Sequence, residues 1–220
     1  MKRRHTLVAL AIACAMLLGS VQAVFAAGVP TDATRKAIEE AKVQTKLKIT
    51  NEVAAETFSY NFYNEVKEGD YELIDTATLA NNQSKYIIID TMPEGWWNQR
   101  RIPGSINQVV GAMNGPEFKI LSQEKKDLLK KLGQVCGKKT YYYNKKTKKW
   151  QSKKIKGAKK KKMVNKDKKI VVYCGFTGCA RSHQAAMYLR KQGFTKVYRY
   201  AGGISAWVDA NNMIDGTDVQ

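Results

Sequence analysis

The segment Val171-Val172-Tyr173-Cys174-Gly175-Phe176-Thr177-Gly178-Cys179-Ala180-Arg181-Ser182-His183 (VVYCGFTGCARSH) decides how the chain is read. Ile170 to Tyr173 is a short apolar run of β-branched and aromatic residues, the pattern of a strand buried on both faces. A loop with two glycines follows. Arg181 then opens a helical pattern that runs to Gln192, with Ala185, Ala186, Tyr188 and Leu189 on its inner side and Gly193 as its stop. A strand, a glycine loop and a helix start together make a cradle for an anion, because backbone N–H groups converge there and the first helical turn carries unpaired donors. A cysteine at the lip of such a cradle has its thiolate favoured. The sequence thus points to Cys174 as a sulfur nucleophile, with Gly175, Phe176, Thr177, Gly178, Cys179 and Ala180 as the cradle and Arg181 as a positive charge at its rim. An inert buried cysteine at a strand end is the alternative.

The same alternation continues on both sides of this segment. Tyr86 to Asp90 (YIIID) is a second buried strand that ends in a carboxylate, and Ile102 to Asn107 (IPGSIN) is a turn leading to a third. Ser122 to Leu132 reads as a helix capped by Ser122, with Leu128, Leu129 and Leu132 facing inward. Thr140 to Tyr143 and Lys149-Trp150 read as a hairpin, with Lys153 to Lys169 as a lysine-rich, partly mobile tail. Val197 to Tyr200 is a further strand, and Ile204 to Ala210 a closing helix. Near the N-terminus, Thr31 to Lys48 and Asn51 to Val66 have helical patterns, the first with Ala33, Ala37, Ile38, Ala41 and Val43 as its apolar side. Alternating strands and helices imply an α/β fold, a mostly parallel sheet with helices on both faces and its site beyond the carboxyl ends of the strands. Asp90 and Cys174 both fall there.

From about Tyr71 to Ala210 the chain resembles the rhodanese-like domain. The resemblance rests on YIIID, IPGSIN, IVVYC (170–174), Arg181-Ser182 with Ala185-Ala186, Gly193-Phe194, and GGISAW (202–207), in that order. It implies a sulfurtransferase in which Cys174 takes sulfane sulfur from thiosulfate or polysulfide and passes it to cyanide, a thiol or a protein acceptor. The chain departs from the family pattern at four places. Six residues separate Cys174 from Arg181, where rhodaneses usually have four and the related phosphatases and arsenate reductases five. Thr91 stands where an arginine often follows the aspartate, Arg100-Arg101 replace the usual Gly-His, and the lysine-rich stretch is an insertion. The longer loop keeps an oxyanion enzyme of the phosphatase or arsenate reductase kind in view, beside a non-catalytic redox or binding module built on Cys174 and Cys179.

Four further residues are candidates around the loop. Cys179 is either a resolving thiol for a Cys174 persulfide or a small loop filler. His183 is either a proton donor to sulfur or a hydrogen-bonding residue of the first helical turn. Ser182 supports the backbone near the cradle, and Asp90 steadies the loop from the next strand end. Trp96 and Trp97 either pack or wall the site.

Lys2, Arg3 and Arg4 precede an apolar run from Leu7 to Val21 and small residues before Ala27, the three-part layout of a signal peptide over residues 1–26. The expected organisation is then a helical extension over 27–70 and the main domain over 71–215, with the insert at about 136–169. Export, to the periplasm, permits disulfides, but Cys136, Cys174 and Cys179 make an odd number. With His183 the one histidine after the leader, no zinc-type spacing exists, and no metal or cofactor is expected. Of the formal charge of +19, three belong to residues 2–4 and fifteen to 136–169, where sixteen lysines face one aspartate; the rest carries +1. The basicity is a property of the insert. It suits an acidic partner protein or anionic lipid, or the steering of a small anionic sulfur donor, more than nucleic acid.

Overall fold

The computed structural model describes residues 31–48, 62–111 and 120–218. The expected signal peptide and residues 51–61 of the expected second helix lie outside the described residues. Ala33–Gln220 is one compact unit. At its centre stands β7 (Lys169–Tyr173), flanked by β2 (Ile87–Asp90) and β8 (Lys196–Tyr200). The short strands β3 (Ile106–Asn107) and β1 (Glu72–Leu73) complete the order β1-β8-β7-β2-β3. Every pairing in this sheet is parallel.

The β7 run is apolar throughout because its alternate side chains enter two cores. Ile170 and Val172 join Leu128 and Leu132 of α4 (Ser122–Val135) and Ala185, Ala186 and Leu189 of α5 (Ala180–Lys191). Val171 and Tyr173 face the other way, toward Leu79 of α2 (Thr76–Asn81) and Ile204 and Trp207 of α6 (Gly203–Asp209). A sheet covered on both faces needs this doubling, and at ~25 cal/mol per Å2 the burial supplies most of its stabilisation. In the N-terminal helix α1 (Asp32–Lys48), Ala37 and Ala41 enter the core, whereas Val43, expected on the same face, is exposed. The Glu40 carboxylate of α1 accepts the Thr76 N–H and hydroxyl, and Gln44 donates to Asp209 at 2.6 Å. The extension is therefore fastened to α2 and α6.

Two local expectations change. Ser122 is the first helical residue of α4, and Leu121 is the cap. The Glu124 carboxylate accepts the Leu121 N–H at 2.7 Å and the Gly111 N–H at 2.9 Å, so the helix start is tied from its own first turn and not by a serine hydroxyl. The lysine-rich segment is no loose tail. β4 (Lys138–Asn144) forms the expected hairpin with β5 (Lys149–Gln151), and β6 (Lys160–Val164) returns along the other edge of β4. Three antiparallel strands result, in the order β5-β4-β6. The sheet is anchored where its side chains turn apolar or bond the domain: Tyr141 is buried and its hydroxyl accepts the Lys166 N–H at 2.7 Å, and Val164 approaches Gly133 of α4.

Pairing of β6 with β4 predicts slow hydrogen exchange. Amides of 160–164 that bond to β4 should be protected to the same degree as those of β4 itself. Exchange at the rate of an unstructured chain throughout 160–164 would refute the third strand.

Candidate active site

The register aligns Asp90 of β2 with Tyr173 of β7, so the chain leaves both strands at the same end of the sheet, and Cys174 is the first residue beyond it. The loop 174–179 is held from above by α6. The Ile204 N–H donates to the Cys174 carbonyl and the Ser205 N–H to the Gly175 carbonyl, both at 3.0 Å. Gly203 makes that approach possible: its φ is +63°, and a Cβ there would meet the Cys174 oxygen at 2.3 Å.

The two loop sulfurs occupy opposite environments. Cys174 is 1% exposed. Its thiol faces the Cys179 carbonyl at 3.2 Å, the Phe176 carbonyl at 3.8 Å and Ser182 Oγ at 3.5 Å. Burial pushes its pKa well above that of an ordinary thiol, the contact with Cys179 adds to this, and Ser182 and Arg199 only partly oppose it. Cys179 is partly exposed and is the N-cap residue of α5. The Cys174 thiol lowers its pKa first; burial works against this, and the backbone N–H groups of Arg181 and Gly175 and the charge of Arg181 add to the lowering, drawing it down to about 6. Burial thus disfavours the thiolate expected at Cys174, and of the two residues Cys179 is the more exposed. The helix begins at Ala180, so its first-turn donors converge on Cys179, while Cys174 sits beneath the loop among carbonyl oxygens.

Arg181 is also placed differently from the expectation. Its guanidinium donates to the Val110 carbonyl at 2.8 Å and to the Gly111 carbonyl, tying α5 to the segment after β3. Its charge still favours the Cys179 thiolate. The cation beneath the loop is Arg199 of β8, which is fully buried. Arg199 donates to Ser182 Oγ at 3.1 Å, to the carbonyls of Thr177 and Cys179 at 3.3 Å, to Tyr71 Oη at 3.2 Å and to Glu65 at 2.5 Å. Burial opposes its charge, but Tyr71, Glu65 and Cys174 outweigh that and hold its pKa above the usual arginine value. The sequence reading missed this residue. Its one signal was a charged side chain inside an otherwise apolar and aromatic strand.

His183 is buried, with Nδ1 bonded to Tyr71 Oη at 2.8 Å. Burial, then the charges of Arg199 and Lys191, draw its pKa down to about 4, so it is a neutral hydrogen-bonding residue at physiological pH. Ser182 links Arg199 to the Cys174 sulfur through its side chain, where the sequence pointed to a bond with backbone near the loop. Asp90 is buried, and its Oδ1 accepts the Met92 N–H at 2.8 Å. That turn sets Met92 Sδ against Gly175. Burial raises the Asp90 carboxyl to about 7. Thr91, where an arginine often stands in the family, donates its hydroxyl to the Tyr173 carbonyl at 2.8 Å. Of the loop residues, Thr177 is buried and Gly175 and Phe176 line a cavity of about 370 Å3 with Met92, Trp96, Gln99, Arg100, Ile204 and Ser205. Trp96 thus walls the loop, and Trp97 stacks on Arg101 instead. Cys136 is a free, buried thiol at the end of α4.

With this geometry in place, comparison defines a class: a family model described as Rhodanese-like domain matches residues 73–210. More than half of the chain is covered, and the protein belongs to the rhodanese-like family. A protein named sulfurtransferase from Allochromatium vinosum is 46% identical over 44 residues, 20% of this chain and 39% of that relative's length. Among solved structures, the BH2092 protein from Bacillus halodurans is 19% identical, covering 72% of this chain and 86% of its own, with a TM-score of 0.43. A rhodanese-related protein from Thermoplasma volcanium is also 19% identical, covering 66% and 98%, with a TM-score of 0.40.

Two outcomes are expected. Iodoacetamide should modify Cys179 first, at a rate that rises with pH and is half-maximal near pH 6. Cys174 and Cys136 should react only on unfolding; peptide mapping that found Cys174 modified first would reverse the assignment. Asp90→Asn should raise stability at neutral pH. A carboxyl at about 7 in the folded state and about 4 when unfolded holds its proton in the fold alone, so the aspartate's contribution falls as pH rises through that window. In urea unfolding the variant should gain on the parent between pH 4 and 7, reaching on the order of 1–4 kcal/mol, and stay level above.

Proposed function

We propose that the protein is an exported sulfurtransferase that carries sulfane sulfur as a persulfide on the loop 174–179. Its donor is a small anion, thiosulfate or polysulfide, and its acceptor a thiol, cyanide or a protein. Membership of the rhodanese-like family supports the sulfurtransferase kind of function. The observation that carries the reading is the partly exposed Cys179 sulfur, flanked by the N–H groups of Gly175 and Arg181 and by the Arg181 charge. That setting stabilises a thiolate before the transfer and the terminal anion of the persulfide after it. With thiosulfate the Cys179 thiolate attacks the outer sulfur, a sulfur–sulfur bond forms to cysteine, and sulfite leaves with the electron pair. Cys179 takes the entry role that the sequence reading gave to Cys174. The basic start and apolar run of residues 2–21 support export to the periplasm. The lysine-rich sheet fits an acidic partner protein or an anionic lipid.

Reduced protein, freed of small thiols, should consume about one equivalent of thiosulfate or of polysulfide sulfur in a single turnover. Cys179→Ser should consume none. Failure of the parent to consume either donor, with its thiols shown to be free, would refute the reading.

A further inference from the structure

The loop holds two free thiols where sulfur transfer needs one, and they differ in access. Cys179 is partly exposed, while Cys174 is 1% exposed beneath it. Of the two residues, Cys179 is the one with surface open to solution. Cys174 nevertheless lies against its neighbour: its sulfur is 3.2 Å from the Cys179 carbonyl and in contact with the Cys179 side chain. Ser182 Oγ stands 3.5 Å from Cys174 and is itself held by Arg199 Nε–H at 3.1 Å, so a hydroxyl backed by a buried cation faces any charge that develops on that sulfur. An inert core cysteine needs neither partner.

We propose that Cys174 is a resolving thiol, which turns sulfur uptake at Cys179 into reductive release of sulfide. The inference rests on the sulfurtransferase reading and adds a second activity to it. Once Cys179 carries a persulfide, the Cys174 thiol gives its proton to the terminal sulfur, and its own sulfur attacks the Cys179 sulfur. The Cys174–Cys179 bond forms, the bond to the terminal sulfur breaks, and that sulfur leaves with the electron pair as HS−. The sulfane sulfur is reduced by two electrons, and the two cysteines are oxidised to a disulfide. The cycle closes when an external dithiol reduces the disulfide, becoming a disulfide itself. Closing the bond requires the sulfurs to move from contact to about 2 Å, on a loop whose two glycines give it freedom. Cys174 already lies beside Cys179, so the persulfide has an internal partner before any external acceptor arrives.

The test treats reduced, thiol-free protein with one equivalent of polysulfide or thiosulfate and follows donor, sulfide and the state of each cysteine by non-reducing peptide mapping. The parent should release sulfide without added thiol and acquire a 174–179 disulfide in equal amount. Cys174→Ala, which also loses the hydrogen bond that favours the Cys179 thiolate, should consume the donor more slowly but to the same one equivalent, keep the sulfur on Cys179 and release no sulfide. A stable persulfide on the parent with no disulfide would overturn the inference while leaving sulfur transfer intact, as would sulfide release by Cys174→Ala at the parent's rate. If Cys174→Ala does not fold, the parent decides alone, because sulfide and disulfide appear together or the proposal is wrong. No donor consumption by the parent overturns both readings.

Discussion

The structure of this site depends on one buried cation. Arg199 sits in the parallel sheet with no exposure to water, where an unpaired guanidinium would be prohibitively costly. Its donors are therefore satisfied by four separate pieces of chain: Glu65 from the helical residues 62–68, Tyr71 before β1, the carbonyls of Thr177 and Cys179 in the loop, and Ser182 in α5. Two loop carbonyls bound by one planar, rigid fork cannot rotate independently. Through Glu65 the N-terminal extension becomes part of the active-site support, although it offers no chemistry of its own. Tyr71 shares its hydroxyl with Arg199 and His183, and burial, then the Arg199 and Lys191 charges, keep the histidine neutral, away from a role as proton donor.

A loop pinned in this way divides its polar groups by direction. The carbonyls of Phe176 and Cys179 lie near the Cys174 sulfur, where they favour a thiol, and the N–H groups of Gly175 and Arg181 face Cys179, where they favour a thiolate. Two residues more than the usual rhodanese spacing between Cys174 and Arg181 thus place a second sulfur, Cys179, beside the helix start. The Arg181 N–H belongs to the first turn of α5 and travels with it, while the Gly175 N–H belongs to the loop.

Much of this was legible in the sequence. The buried strands, the parallel sheet and the position of Cys174 beyond a strand end follow from apolar runs bounded by glycine and from the motifs between YIIID and GGISAW. What was not legible has a common physical reason. Arg199 drew no reading of its own within a short strand, because periodicity reports apolar faces and says nothing about a charge neutralised by partners distant in sequence. The third strand of the insert was hidden similarly: Lys160, Lys161 and Lys162 show no alternation, and only Met163 and Val164 mark the end that packs. Which sulfur the amides face depends on loop geometry that composition cannot encode.

The insert also has a place in the fold that bears on its role. It leaves the domain after α4 and returns at Lys169, the first residue of β7, whereas Cys174 follows the last. Lys166 donates to the Gln192 carbonyl and accepts the Thr195 N–H, which fixes the base of the insert beside the turn that leads into β8, again at the amino ends of the strands. A five-residue strand spans about 16 Å, and charges in physiological salt are screened over about 8 Å. Most of the lysine field therefore fades before it reaches the sulfur, and steering of a small anion to the loop is the weaker account of the insert. A sheet based at the amino ends of the strands supports instead the proposed acidic partner protein or anionic lipid.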